Sequence, residues 1–339
     1  MEEQESIYKS FITPSIRTDL ALEAQEVVKE RRAEEIPGVQ SETRRTKNAI
    51  VTRMKIINSE GEQILGKIRG NYITIEAPAL RKRNKEVQEE VSRLIVEELE
   101  QLIPSDENAT FLVVGLGNWN ATPDALGPRV VERLLVTRHL FEHAPPELTG
   151  GMRPVSALAP GVLGLTGIET GDIIRGVVDK IKPSAVVVID ALAARNTERI
   201  SSTIQIADTG INPGAGVGNK RMAINEQTLG VPVIAIGVPT VVHALTIINN
   251  ALTIIGESLA DTPSRIKLNN EFSRTLHRLE EEEKDRLIAE SLSPSLGELI
   301  VTPKEIDVII DDVSQVIAGG INGALHTGIA LEELFNYTN

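Results

Sequence analysis

Val186-Val187-Val188-Ile189-Asp190-Ala191-Leu192-Ala193-Ala194-Arg195 is the stretch that decides the fold of this chain. Its β-branched run is too short for a helix and reads as a buried strand over 185–190, ended by Asp190. A second run, Phe111-Leu112-Val113-Val114, opens into Gly115-Leu116-Gly117-Asn118 and then Thr122-Pro123-Asp124-Ala125-Leu126-Gly127-Pro128. Both Asp190 and Asp124 therefore follow core strands of an α/β fold. Open α/β sheets place ligands in the crevice outside the carboxyl ends of such strands. Two carboxylates there point to water activation or metal binding.

Outward from these strands the pattern alternates. Strands are expected at 111–115, 155–159, 185–190, 203–208 and 232–236, and helices at 123–143, 169–181, 226–229 and 240–258. Buried β-branched runs alternating with helices predict a three-layer α/β/α fold with a mainly parallel central sheet. Ahead of this core, Ile50-Val51, Met54 to Ile57 and Asn71 to Ile75 read as short antiparallel strands with Gly61 and Gly66 as turn punctuation, a small β region at 48–80. Asn84–Leu102 has apolar residues at helical spacing. The first 47 residues read as a charged leader with one helix, Leu20–Arg32, followed by Pro37-Gly38 and a solvated link at Ser41 to Arg45. Residues 261–297 are a polar insertion. Thr302-Pro303-Lys304-Glu305 reads as a capping box for a helix that stops at Gly319-Gly320.

Composition narrows the function classes. The 339 residues are 41% hydrophobic and 24% charged, which is globular composition. No cysteine is present, so disulfides, thiol catalysis and thiolate metal sites are excluded. No run of 18 apolar residues predicts a membrane span. The net charge of −13, with 3% aromatics, argues against direct nucleic-acid binding.

The remaining motifs weigh differently. Gly115-Leu116-Gly117-Asn118 lacks the third glycine of a dinucleotide fingerprint, so its glycines read as a tight strand-end turn. Gly214 to Arg221 lacks the Ser/Thr of a P-loop. Gly117, Asn118, Gly216, Gly218, Lys220 and Arg221 are the candidate substrate-binding set. His139 and His143 have metal-ligand spacing but fall at the far end of the helix expected from Asp124, and read as a solvated helix end. His243 and His326 are isolated and read as structural. The apolar surroundings of Asp190 favour its protonated form, whereas Asp124, at the second position of a helix capped by Thr122, is favoured ionised. That contrast is the pattern of an acid–base pair. Thr18-Asp19-Leu20-Ala21 reads first as a helix start.

Taken together, Ile16 to Ala21, Val113 to Asn118, Thr122 to Pro128, Leu135 to Phe141, Pro160 to Thr170, Ile189 to Arg195, Gly214 to Arg221 and Thr302 to Glu305 resemble the germination protease family of spore-forming Firmicutes, in order and nearly end to end. The resemblance implies an endopeptidase made as a zymogen. Residues 1–19 would be a propeptide, 20–339 a single protease domain with its α/β core at 110–258, and the cut would fall between Asp19 and Leu20. It implies Asp124 and Asp190 as the essential aspartates and small acid-soluble spore proteins as substrates, cleaved after an acidic residue that precedes a hydrophobe and alanine. A homotetramer and a cytoplasmic address in the developing spore or spore core are implied as well. No cofactor is expected. The fold is similar to that of hydrogenase-maturation proteases, whose metal-binding set would compare with His243, a position where germination proteases commonly carry aspartate. Besides the paired-aspartate endopeptidase, two alternatives stand: a metal-dependent maturation-type protease with a divalent ion on oxygen ligands, and a nonenzymatic protein whose Gly-rich loops hold a nucleotide or peptide.

Overall fold

A computed structural model describes residues 18–32, 35–143, 145, 149–212, 222–260, 291, 296 and 299–329. Its strands are β1 (Val39–Arg45), β2 (Ile50–Ile56), β3 (Gly70–Glu76), β4 (Phe111–Gly115), β5 (Val155–Leu158), β6 (Ala185–Ala194), β7 (Thr203–Ala207), β8 (Val233–His243) and β9 (Ile300–Val301). The helices are α1 (Ala21–Arg32), α2 (Ser59–Leu65), α3 (Lys85–Glu100), α4 (Leu126–Glu132), α5 (Arg138–His143), α6 (Leu163–Thr166), α7 (Thr170–Ile181), α8 (Glu226–Leu229), α9 (Ala244–Ala260) and α10 (Ile306–Leu325).

All nine described strands form one mixed sheet, ordered β1-β2-β3-β7-β8-β6-β4-β5, with β9 on the end of β8. Only β5–β4, β4–β6 and β6–β8 are parallel; the other pairings are antiparallel. The expected mainly parallel sheet is thus half of a larger one. The N-terminal β region is not separate, because β3 pairs with β7 and carries β1 and β2 into the same sheet. The segment expected as a solvated link is β1, exposed along most of its length but paired to β2 from Val39 to Arg45.

Period-two alternation gives the sheet two apolar faces. On one, Val187, Ile189, Ile204, Ile206 and Ile236 pack under α3, α4 and α10. On the other, Val186 and Val188 lie under α7, while Met54, Ile56, Tyr72 and Ala207 lie under α1 and α2. Helices therefore cover both faces, and on the second face they leave a gap between α1/α2 and α7.

Helix boundaries depart from expectation for local reasons: the helix expected from 240 begins at Ala244, because β8, expected to end at 236, continues to His243. The helix expected over 123–143 is broken into α4 and α5. Thr137 interrupts it by joining the start of β5: its amide donates to Val155 O (3.0 Å) and its hydroxyl accepts from Val155 N (3.0 Å). Thr302 does not cap α10; its hydroxyl donates to Thr240 O (2.9 Å) at the irregularity in the β6–β8 pairing, and Glu305 is the cap position. Gly319-Gly320 does not stop α10 but lies inside it, where the missing side chain lets α3 come close: a Cβ on Gly320 would sit 2.5 Å from Ile95 Cγ2. Ser92 Oγ donates to Val316 O (2.9 Å) across the same contact. By length and composition α10 could cross a membrane, yet 67% of its apolar window is buried inside the fold, so it is read as a core helix.

Gly320→Val should push α3 and α10 apart and cost about 1–3 kcal/mol, the usual cost of overpacking. Urea unfolding would show the loss, and adding Ile95→Ala should recover part of it.

Candidate active site

The gap on the second face of the sheet is a cleft of about 820 Å³. Its floor comes from three neighbouring strands. Asp190 of β6 lies opposite Gly237 of β8, and Gly237 lies opposite Gln205 of β7. Residues in such register point to the same face, so Asp190 and Gln205 flank Gly237 two strand spacings apart, ~10 Å between Cα atoms. The space over Gly237 is taken by the Leu192 side chain. A Cβ on Gly237 would lie 2.4 Å from Leu192 Cδ1. Ala207 and Ala235, one step along, extend this shallow floor.

Asp190 does not end its strand. β6 continues to Ala194, paired with β8. It is β4 that ends here: Gly115 pairs with Ile189, and Leu116 N still donates to Ile189 O (2.8 Å). Asp190 is therefore the first residue of β6 beyond its β4 neighbour. It is 7% exposed, and its Oδ1 accepts from Ala191 N (2.9 Å).

Asp124 is brought to the same place by the loop after β4. Residues Thr122–Asp124 form a 3-10 turn that packs against β6 and β8. Asp124 is thus not at the second position of a helix capped by Thr122. It ends the turn, Ala125 is the N-cap of α4, and Thr122 makes no capping bond. What fixes Asp124 is the strand end. Gly117 adopts φ +115°, and a Cβ on it would lie 1.9 Å from Asp124 O. Asn118 N donates to that same oxygen (3.0 Å). Asp124 is half-buried and lines the cleft together with Asp190.

The Asp19–Leu20 peptide unit lies against the same cleft. Asp19 N donates to Ala193 O (3.1 Å), and Ala193 N donates back to Asp19 Oδ2 (2.8 Å). Asp19 O accepts from Lys67 Nζ (2.9 Å) and from Gln205 Nε2 (3.3 Å), while Ala21 N donates to Gln205 Oε1 (2.6 Å). Leu20 is fully buried against Leu192 and Ala194, and Ala21 is fully buried among Ile56, Tyr72 and their neighbours. Thr18 lies three residues before α1, which begins at Ala21, and does not cap it. Its hydroxyl accepts from Leu20 N (3.1 Å) and bonds the Glu23 carboxylate. Glu23, 2% exposed, accepts from Arg195 N (2.7 Å) and Asn196 N (2.9 Å).

Of the expected substrate-binding set, Gly117 lines the cleft and positions Asp124. Asn118 supports the turn through its backbone, its side chain accepting from Asn120 N (2.9 Å), and does not line the cleft. Gly216, Gly218, Lys220 and Arg221 lie outside the described residues, although Asn212 and Met222 on either side of that segment both line the cleft. His139 and His143 are exposed on α5. His243 ends β8 six residues beyond Gly237 and is not among the residues that line the cleft. His326 is buried; Nε2 pairs with Leu135 O (3.0 Å), Nδ1 accepts from Arg153 N (3.4 Å), and burial pulls its pKa below the ordinary histidine value. Among the described residues no group of three or more acids and histidines is placed to hold a metal ion. Lys67, Gln205 and Glu23 were not anticipated. Gln205 alone left a trace in sequence, as a polar residue between Ile204 and Ile206 in a strand.

A family model described as germination protease matches residues 17–260 and 257–338. The chain belongs to the germination protease family. Germination proteases of Clostridium tetani, Caldanaerobacter subterraneus and Bacillus thuringiensis are 48%, 50% and 46% identical to it, over 96%, 95% and 96% of this chain and 100%, 98% and 97% of their own lengths. Membership in the germination protease family makes the chain a peptidase of spore germination and sets aside the nonenzymatic alternative. Among solved structures, a NiFe hydrogenase maturation protease, HycI, from Thermococcus kodakarensis is similar over 57% of this chain and 99% of its own, at 19% identity and a TM-score of 0.29, a likeness too slight to bear on the site.

Gly117→Ala should abolish most peptidase activity while the protein stays folded, because the turn carrying Asp124 must shift to admit the methyl. Asn118→Ala keeps the backbone amide and should leave KM for a peptide substrate within about twofold.

Proposed function

We propose that this protein is a self-processing endopeptidase, held as a zymogen until its Asp19–Leu20 bond opens, which then begins the degradation of small acid-soluble spore proteins in the spore core. The observation that carries this reading is the position of the Asp19–Leu20 peptide unit against the cleft that Asp124 and Asp190 line. The leader has the sequence expected of a substrate: an acidic residue, then a hydrophobe, then alanine. Leu20 and Ala21 are fully buried, and on this reading a substrate of that sequence would fill the same places. We extend the reading to a homotetramer, as in the family resemblance.

The chemistry follows from paired carboxylates. An ionised carboxylate takes a proton from water as the water oxygen bonds to the Asp19 carbonyl carbon, and a protonated one delivers a proton to the Leu20 nitrogen as the C–N bond breaks. We assign the proton to Asp190, the more buried residue, and the base to Asp124.

Asp124→Asn and Asp190→Asn should each slow release of residues 1–19 from the purified full chain by at least about 1000-fold, the order seen when one member of a catalytic set is removed. Intact-mass measurement at mildly acidic pH follows the cut. Processing at the wild-type rate in either variant would defeat the paired-aspartate mechanism.

A further inference from the structure

Two side chains outside the aspartate pair converge on one atom. Lys67 Nζ donates to Asp19 O at 2.9 Å, and Gln205 Nε2 donates to it at 3.3 Å. Gln205 cannot turn away without loss. Its Oε1 accepts from Ala21 N at 2.6 Å, which aims the Nε2 end at the carbonyl of Asp19. Lys67 is aimed by the chain before it: Gly66 closes α2 in the left-handed conformation, φ 63°, and sends the next residue over the cleft. Lys67 also reaches Thr18 O at 3.3 Å, a longer contact than that to Asp19 O.

We propose that Lys67 and Gln205 are catalytic residues of the self-processing step, holding the carbonyl oxygen of Asp19 and stabilising the negative charge it gains when water adds to its carbon. This rests on the reading that Asp19–Leu20 is the bond cut and that Asp124 and Asp190 activate the water. The electron count is simple. The water oxygen forms a bond to the carbonyl carbon, and the carbonyl π pair moves onto oxygen. That pair returns as the C–N bond breaks, and the Leu20 nitrogen takes a proton from the acid of the pair. Donors within about 2.7–3.1 Å of the oxygen that becomes charged lower this barrier, since they are already aligned before the charge develops. Lys67 meets that distance. Gln205 is slightly long, as such contacts are before the charge develops.

The lysine brings a signature that a docking contact lacks. Burial pulls its pKa below the ordinary lysine value, against the opposing pull of Asp19 and Glu23, the charged groups that face it from the leader. Asp124, Asp190 and Glu169 line other walls of the cleft, and the Tyr72 hydroxyl is engaged with Ile68 O (2.7 Å). The cation is present below that lowered pKa and lost above it, so the rate should fall on the alkaline side before an ordinary lysine would titrate. Arginine stays charged throughout this range.

The test measures first-order release of residues 1–19 from the full chain across pH, in wild type, Lys67→Met, Lys67→Arg, Gln205→Leu and Asp190→Asn. Amide hydrogen exchange at Asp19, Ala193 and Arg195 reports whether the leader stays docked. Expected are a loss of roughly 100- to 1000-fold in Lys67→Met and in Gln205→Leu with exchange at those amides unchanged. Lys67→Arg should retain processing, with its alkaline fall set by the aspartate pair alone. Wild-type rates in both Lys67→Met and Gln205→Leu, with Asp190→Asn inactive, overturn this proposal and leave the aspartate reading standing. Slow variants whose exchange rises in proportion overturn it in favour of a docking role. A wild-type chain that never opens the Asp19–Leu20 bond overturns the parent reading, and this one with it.

Discussion

Where β4 stops, one residue short of Asp190, the carbonyl of Asp124 closes onto Gly117. This contact organises the site. The strand end supplies an amide, from Asn118, and an empty place where any side chain would stand 1.9 Å from the Asp124 oxygen. Only then can the Thr122–Asp124 turn lie against β6 and β8 and occupy the position β4 has vacated. An aspartate on a loop thereby becomes as fixed as one on a strand. Catalytic groups held on rigid elements keep their geometry without further cost during reaction.

The cleft follows from what the sheet leaves out. Two sets of helices cover one face, and between them β7 and β8 present glycine and alanine where larger residues would complete the core. The leader fills part of that gap. Leu20 alone removes enough apolar surface to contribute about 1.5–3 kcal/mol. Glu23 is a carboxylate taken almost fully out of water, which is tolerable because the amides of Arg195 and Asn196 and the guanidinium of Arg199 (3.5 Å) face it. The residues on both sides of the Asp19–Leu20 bond are thus held by the end of β6, the strand that carries Asp190.

Much of this was legible in the chain. The β-branched runs at 111–115 and 185–190 located both aspartates beside core strands, and the apolar spacing of Asn84–Leu102 found α3. What escaped has a physical cause in each case. β1 is paired along its length yet has an exposed, charged sequence, so its hydrogen bonds leave no apolar trace. The break between α4 and α5 comes from Thr137 bonding to β5, a tertiary contact that local propensity does not encode. Gly319-Gly320 looks like a stop because glycine usually is one; here close packing against Ile95 overrides that preference. Lys67 reaches the site only because β3 joins β7, a pairing that brings together residues far apart in sequence.

On the proposed reading, the docking of Leu20 to Glu23 has a consequence after the cut. These residues lie on the far side of the broken bond and stay joined to the body through α1. The new chain end is then a tethered product, present at its own cleft at an effective concentration on the order of millimolar. A free substrate with equal contacts loses to it at lower concentrations. Turnover therefore waits on α1 lifting away, and the rate at which the enzyme consumes its substrates is set partly by how firmly it still holds a piece of itself.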